Sequence, residues 1–443
     1  MYYPLKSFHV FFPDIYNSPS LLVSKEVYFD TVHFMKEDAS WIAGKCKERE
    51  ILGLPKVNLN ELPEIPLSAS CSIEHPFKLG IKTDELFPYK VSALGGSFDR
   101  PHAGHKILLS IAALLPKDKL YIGLTHDSLL VKKKFAEALQ SYETRKSTIK
   151  EFLHYLRPSM EVEIRPLFDS VGLAGTMEYL DSLLITTETL PGGKMVKEKR
   201  EENKLTPIDF PILQFDEIEE KISSTDIRAI IIKKGQVDLN KVKNNWLSLM
   251  ERLKIDEEIG KKWWDILLDH YAEDWRHYHV LKHVWDMLES KKYFKAPENL
   301  LFDLAIWFHD VIYCPNESDN EEQSVKLFEQ FASESKIEKK EYVTKLIMAT
   351  KYHKAEEDYD TKLLLDLDLE ILARPNDEYK QYAANIRNEY SSYSDEMYRK
   401  GRIQILNSFL KKDSIFLTPE MREKYEARAR ENIQEEIKSL SQH

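Results

Sequence analysis

The sequence predicts a multidomain chain: an α/β unit built on a parallel sheet, followed by a unit made wholly of helices. Three observations carry this. A short β-favouring run breaks on two glycines and restarts as a helix within residues 89–115. A second helix opens on a Ser-Ser-Thr corner far downstream, and from Val242 onward apolar residues recur at three-and-four spacing with no convincing strand. The 443 residues leave room for two or three domains, read here as 1–85, 86–240 and 241–443.

Within 1–85, the aromatic and apolar residues Phe8, Val10, Phe11, Phe12, Tyr28, Phe29, Phe34, Trp41 and Ile42 predict a folded or docked segment. Leu54 to Pro66 and Ser68 to Ser72 read as linker, and no catalytic pattern is present.

The α/β unit opens with Tyr89-Lys90-Val91-Ser92-Ala93-Leu94, a strand ended by Gly95 and Gly96; Lys106 to Leu115 is a helix stopped by Pro116. Between them runs Gly95-Gly96-Ser97-Phe98-Asp99-Arg100-Pro101-His102-Ala103-Gly104-His105. The free amides and positive dipole of the helix start attract phosphate, and the glycine pair lets backbone approach closely. His102 and His105, three apart, share one side of a first turn, where both can donate to a phosphoryl group gaining charge. Such a site stabilises a transition state and offers no nucleophile.

The second string is Ile222-Ser223-Ser224-Thr225-Asp226-Ile227-Arg228. The hydroxyls of Ser223, Ser224 and Thr225, with the exposed amides, can hold terminal phosphates, and Arg228 adds a fixed cation one turn in. Either string alone is also what an ordinary capped helix shows. Together they read as two halves of a nucleoside-triphosphate site.

From Tyr89 to Gly235 the chain resembles the Rossmann-like nucleotidyltransferase superfamily that carries (H/T)xGH and ISSTxxR signatures, and within it the eukaryotic-type phosphopantetheine adenylyltransferases. Three further blocks match in order: Gly123 to Lys134, Tyr142-Glu143-Thr144-Arg145, and Thr187-Glu188-Thr189-Leu190-Pro191-Gly192-Gly193 running on to Lys199-Arg200. The resemblance implies transfer of AMP from ATP to 4′-phosphopantetheine by direct in-line attack, helped by Mg²⁺, giving dephospho-CoA and pyrophosphate. It makes His102, His105, Lys133 and Arg228 the catalytic candidates. Gly95, Gly96, Ser97, Phe98, His105, Ser223, Ser224, Thr225 and Arg228 would bind ATP, with the register among Lys132, Lys133 and Lys134 open. Lys132, Lys134, Arg145 and Arg200 are further candidates for anion contact, or else a solvated basic face. After the Gly-Gly turn the family usually has an asparagine following valine; here Val196-Lys197 stands instead. That loosens the acceptor assignment, and nicotinate-mononucleotide adenylyltransferases, which share both signatures, are the nearest alternative.

A charged stretch around Lys233-Lys234-Gly235-Gln236 closes this unit. In the helical unit, His279 and His283 are four apart, which on one helix places both imidazoles on one face. His309 and Asp310 end an apolar helix, while Asp368 sits in a leucine-rich run where an unpaired carboxylate is costly. From Trp264 to Asn432 the chain resembles the HD superfamily of metal-dependent phosphohydrolases. The matching stretches are Arg276 to His283, Ala305 to Asp310, Asp319 to Ser324, Ala349 to His353, Asp366 to Leu369 and Tyr398 to Arg402. The resemblance implies His279, His309, Asp310 and Asp368 as metal ligands, with Arg276, His283, His353 and Asp366 as substrate contacts or supporting partners. Mixed imidazole and carboxylate ligation suits Mn, Fe, Zn, Ni, Co or Mg, and such a site polarises a phosphoryl oxygen and activates water.

Composition fits two enzymes in one chain. Hydrophobic residues make up 42% and charged residues 31%, no apolar stretch reaches membrane-span length, and Cys46, Cys71 and Cys314 are too scattered for a disulfide framework. A cytoplasmic location is expected. The net charge of −11 argues against a nucleic-acid partner, so small anionic substrates must be met by local clusters such as Lys132 to Lys134, Lys197 to Arg200 and Lys233-Lys234. The competing class is a regulator, in which one site senses nucleotide and governs the other.

Overall fold

Three short strands precede the glycine loop. β1 (Thr31–Phe34) pairs in parallel with β2 (Asn58–Glu61), and β3 (Phe77–Leu79) follows. β2 falls inside the stretch expected to be linker, because backbone pairing with β1 organises residues whose composition alone signals a loop. Beyond these strands, the computed structural model describes residues 87–215, 223–353 and 358–442. Phe8 to Phe29, Trp41, Ile42, the Ser68 to Ser72 linker and Ile222 lie outside the described residues. The chain divides into two compact units, Met1–Arg228 and Ala229–His443.

In the first unit the β-favouring run forms β4 (Tyr89–Gly96) and the following apolar run forms α1 (Ala103–Leu114). Pro116, expected to stop that helix, is also the first residue of β5 (Pro116–Thr125). α2 (Tyr142–Leu156), β6 (Glu161–Leu167), β7 (Ser182–Thr186), α3 (Leu190–Glu202), β8 (Ile212–Phe215) and α4 (Ser224–Gly235) complete the series. The sheet order is β3-β8-β7-β4-β5-β6, with β3 antiparallel on the edge and the other five strands parallel. Strand order therefore reverses on either side of β4, and in such sheets ligands bind beyond the carboxyl ends of the strands at that point.

Alternation along the strands fills two cores. Leu94 and Leu184 pack with Leu109, Ile111, Phe152 and Leu153 on one face, while Ala93, Leu183 and Ile185 pack with Ala174, Leu180 and Val196 on the other. Gly192 and Gly193, expected as a turn, lie instead with Pro191 at the start of α3. Proline suits a first helical turn, and a Cβ on Gly193 would lie 3.0 Å from Ile185 Cδ1, so the glycine serves close helix-to-strand packing.

The second unit, among the described residues, is all helix: α5 (Leu239–Arg252), α6 (Glu257–Tyr271), α7 (Leu281–Ser290), α8 (Leu300–Phe308), α9 (Asn320–Glu334), α10 (Lys340–Thr350), α11 (Tyr359–Leu369), α12 (Asn376–Glu389), α13 (Asp395–Leu410) and α14 (Pro419–Ser441). Side-chain caps start several of them, with Asp238, Asp256, Asn299 and Asp358 each accepting from first-turn amides. Its core is aromatic. Trp246, Trp264, Trp307, Phe308 and Phe331 are essentially inaccessible, with Trp246 edge-on to Trp307 at 5.3 Å. No helix among the described residues is long and apolar enough to cross a membrane.

Candidate functional site

Where β4 ends, the backbone turns sharply: Phe98 and Arg100 both adopt φ of 45°, and a Cβ on Gly96 would fall 2.8 Å from the Phe98 ring. His102 then precedes α1 without capping it through its side chain, so the first-turn amides of that helix have no partner from that side chain. As expected from their spacing, His102 and His105 come together, ring centroids 4.1 Å apart. His105 Nδ1 is buried with no hydrogen-bond partner. Burial, then His102 and Lys133, hold the His105 pKa down to about 3, so the ring is neutral near pH 7. Lys133 brings its Nζ to 3.4 Å from Ser97 Oγ, and burial of that end, then Arg228, lowers its pKa. Lys132, Lys133 and Lys134 are all exposed over much of their length, and only the Nζ end of Lys133 is partly desolvated. The fit to a phosphate is direct: an orphaned imidazole nitrogen, a lysine and a helix start meet beside a glycine turn.

The second string lies against the first. Ser224 Oγ donates to the Asp99 carbonyl at 2.8 Å, and Arg228 Nη1 meets Asp99 Oδ2 at 2.5 Å, both side chains essentially inaccessible. The rest of the Arg228 guanidinium is occupied too, by the Lys134 carbonyl and Thr225 Oγ1. The arginine expected to hold phosphates thus ties α4 to the glycine loop and the lysine loop, because its planar donors match carbonyls and a carboxylate already in place. Ser223 forms a reciprocal capping pair with Asp226: its hydroxyl donates to Oδ2 at 2.6 Å and accepts from the Asp226 amide.

Arg145 and Arg200, read as anion contacts, have structural duties instead. Arg145 is inaccessible and spans the carbonyls of Ser97, Thr125 and Gln140 and the Asp127 carboxylate. Arg200 gives its donors to the carbonyls of Ala174, Met177 and Thr206. Buried guanidinium groups persist only where acceptors surround them, and four of the five donors of each are spent on the protein itself. The residue sequence reasoning passed over is Asp99, which takes Arg228 on one oxygen and the Gln140 amide on the other. It lies inside the quoted string, but its partners are 41 and 129 positions away, so no local pattern marks it.

In the helical unit a second cluster forms. One donor atom each from His283, His309, Asp310 and Asp368 lies within 4.8 Å of all the others. His283 Nε2 is 3.1 Å from Asp368 Oδ1 and 3.2 Å from His309 Nε2, which is 3.1 Å from Asp310 Oδ2. His309 Nδ1 donates to the Ile306 carbonyl, leaving Nε2 to face the cluster. Two imidazoles and two carboxylates fit a divalent ion. Burial lowers the His309 pKa, but Asp310 and then Asp368 outweigh it and push it up to about 9, while these imidazoles hold both carboxylates below their ordinary range. The site is built for positive charge.

His283 takes the place expected of His279. α7 begins at Leu281, so His279 lies before the helix and the one-face argument does not hold. Its Nδ1 bonds Glu389 at 2.7 Å, and its Nε2 stops 4.0 Å from Asp310. Arg276 clamps the two turns by donating to the carbonyls of His279, Asp310 and Val311. His353 Nε2 reaches Asp368 Oδ2 at 3.1 Å. Asp366 faces away from the cluster, as residues two apart on a helix do, and its carboxylate takes the amides of Leu417 and Thr418 at the start of α14. Glu389, 110 positions from His279, left no sequence signal.

Residues 93–230 match the family described as Cytidylyltransferase-like. The chain is 30% identical over 219 residues to a phosphopantetheine adenylyltransferase of Saccharomyces cerevisiae, spanning 46% of this chain and 69% of that protein. A phosphopantetheine adenylyltransferase of Thermococcus kodakarensis is 35% identical over 147 residues, 32% of this chain and 87% of the relative. An uncharacterized protein of Schizosaccharomyces pombe is 30% identical over 196 residues, 42% of this chain and 62% of its own length.

Proposed function

We propose, for a chain that belongs to the phosphopantetheine adenylyltransferase family, that its first unit moves AMP from ATP to 4′-phosphopantetheine, releasing pyrophosphate and dephospho-CoA. The observation that carries this reading is the unpartnered His105 Nδ1 beside Lys133 at the carboxyl edge of β4. In this reading the acceptor phosphate attacks the α-phosphorus and pyrophosphate leaves. His105 donates to the α-phosphoryl oxygen, Lys133 draws donor and acceptor phosphates together, and the amides opening α1 and α4 take the β- and γ-phosphates. Mg²⁺, arriving with ATP, supplies charge neutralisation. Asp99, Arg145 and Arg228 hold these groups in register without touching substrate. Incubating the chain with ATP, Mg²⁺ and either 4′-phosphopantetheine or nicotinate mononucleotide, and weighing the products, tests the acceptor. Dephospho-CoA mass is expected; dinucleotide alone would move the reading to the nicotinate class.

For the second unit the reading is a metal-dependent phosphohydrolase, in which His283, His309, Asp310 and Asp368 hold the ion. A divalent metal there would polarise a phosphoryl oxygen and lower the pKa of bound water. The matched charge of the cluster supports it. Its test is hydrolysis of a phosphoester panel by the full chain with Mn²⁺, with His309→Gln as control; equal turnover by the control would refute it.

A further inference from the structure

Glu389 is fully buried and its carboxylate takes five donors. The amides of His277, Tyr278 and His279 reach Oε1 at 2.7–2.9 Å, His279 Nδ1 reaches Oε2 at 2.7 Å, and the Tyr313 hydroxyl donates to Oε2 at 3.1 Å. The His279 ring is further confined between Tyr313, 4.1 Å away and tilted by 32°, and the edge-on ring of Tyr278 at 4.9 Å. The Glu389 bond to Nδ1 and the two flanking rings together fix where Nε2 points.

Among the described residues, it points along the side of the cluster that keeps some exposure. Among the cluster side chains, His309 and His283 are 0% and 3% exposed and form the floor, whereas Asp310 and Asp368 keep 18% and 15% of their surface. His279, 18% exposed, stands on that open face with Nε2 4.0 Å from Asp310 Oδ2. His353 on the same side already spends its Nε2 on Asp368. A phosphoryl group reaching an ion from the Asp310 side would come within range of the His279 imidazole.

We infer that Glu389 is a positioning residue that fixes His279 at the open face of this cluster as a contact for the phosphoryl group, outside the set that holds the ion. The inference rests on the phosphohydrolase reading of the second unit. It separates two duties: four side chains serve the metal, and the Glu389–His279 pair serves the substrate.

The test uses the full chain carrying His105→Ala, which silences the phosphate site of the first unit, and inorganic phosphate as probe. Mn²⁺ affinity and the Mn²⁺-dependent part of phosphate affinity are measured by calorimetry for this protein and for its His279→Gln, Glu389→Gln and His283→Gln derivatives. His279→Gln and Glu389→Gln are expected to keep Mn²⁺ affinity within about threefold while losing roughly tenfold or more in phosphate affinity; His283→Gln is expected to lose Mn²⁺ itself. Loss of Mn²⁺ by His279→Gln on the scale of His283→Gln would make His279 an ion ligand and overturn the inference, as would unchanged phosphate affinity. If Glu389→Gln melts early, His279→Gln, which leaves the three amides seated on Glu389, decides the matter. A parent protein that binds no Mn²⁺ would instead overturn the phosphohydrolase reading.

Discussion

Asp99 carries the first site because both its oxygens are taken by segments far apart in the chain: Arg228 on one, the Gln140 amide on the other. Removing one partner of a buried ion pair leaves the other charge uncompensated, which costs about 3–5 kcal/mol. Asp99→Asn is therefore expected to lower the unfolding free energy of the first unit by about that amount and to cut pyrophosphate release at least a hundredfold, measured by denaturant titration and a coupled assay. A variant with wild-type stability would show that Arg228 finds another acceptor.

His309 supports a second prediction at this scale. Its pKa near 9 means that the imidazole carries a proton at pH 7, which a metal must displace. Mn²⁺ binding is expected to release protons at pH 7 and to tighten as pH rises toward 9; calorimetry in buffers of different ionisation heat counts them. The same raised pKa stabilises the folded unit below pH 6.5 and is lost as pH climbs through 9.

At the scale of elements, helix starts do most of the positioning, and two of them were legible only in part. The spacing of His102 and His105 placed them correctly because α1 begins at Ala103, directly behind His102. The same argument misassigned His279, because α7 begins two residues after it, and periodicity fixes a helix face but not its first residue. Asp366 shows the other limit. A buried carboxylate in a leucine run does need a partner, but that partner is the start of α14, some fifty positions on, and no local pattern distinguishes a helix cap from a metal. Burial, offset in part by the bonds from Leu417 and Thr418, pushes the Asp366 pKa up to about 6. The folded unit thus holds a proton the unfolded chain has released between pH 4 and 6, so this group favours folding less as pH rises across that window. Asp366→Asn is expected to remove about 2–3 kcal/mol of pH-dependence there, read by the fluorescence of Trp246, Trp263, Trp264, Trp275, Trp285 and Trp307 during unfolding. An unchanged slope would place the titration elsewhere.

Over the whole molecule, the change from sheet-and-helix to helix alone was readable, since Tyr89 to Leu94 and the run from Val242 differ in period. Less readable was how arginines would be used. Arg145, Arg200 and Arg276 resemble anion contacts in the sequence, yet each is buried among carbonyls whose positions only the folded chain supplies. Here charged residues near a site hold its loops, and the carbonyl acceptors around each are what tell this duty from ligand contact.

On the proposed function, the strings 95–105 and 223–228 make one triphosphate site serving an adenylyl transfer. Pyrophosphate release from ATP, followed with and without 4′-phosphopantetheine, tests it most directly. The structure predicts release that depends on the acceptor and disappears in His105→Ala; ATP binding with no release in the presence of either 4′-phosphopantetheine or nicotinate mononucleotide would contradict it.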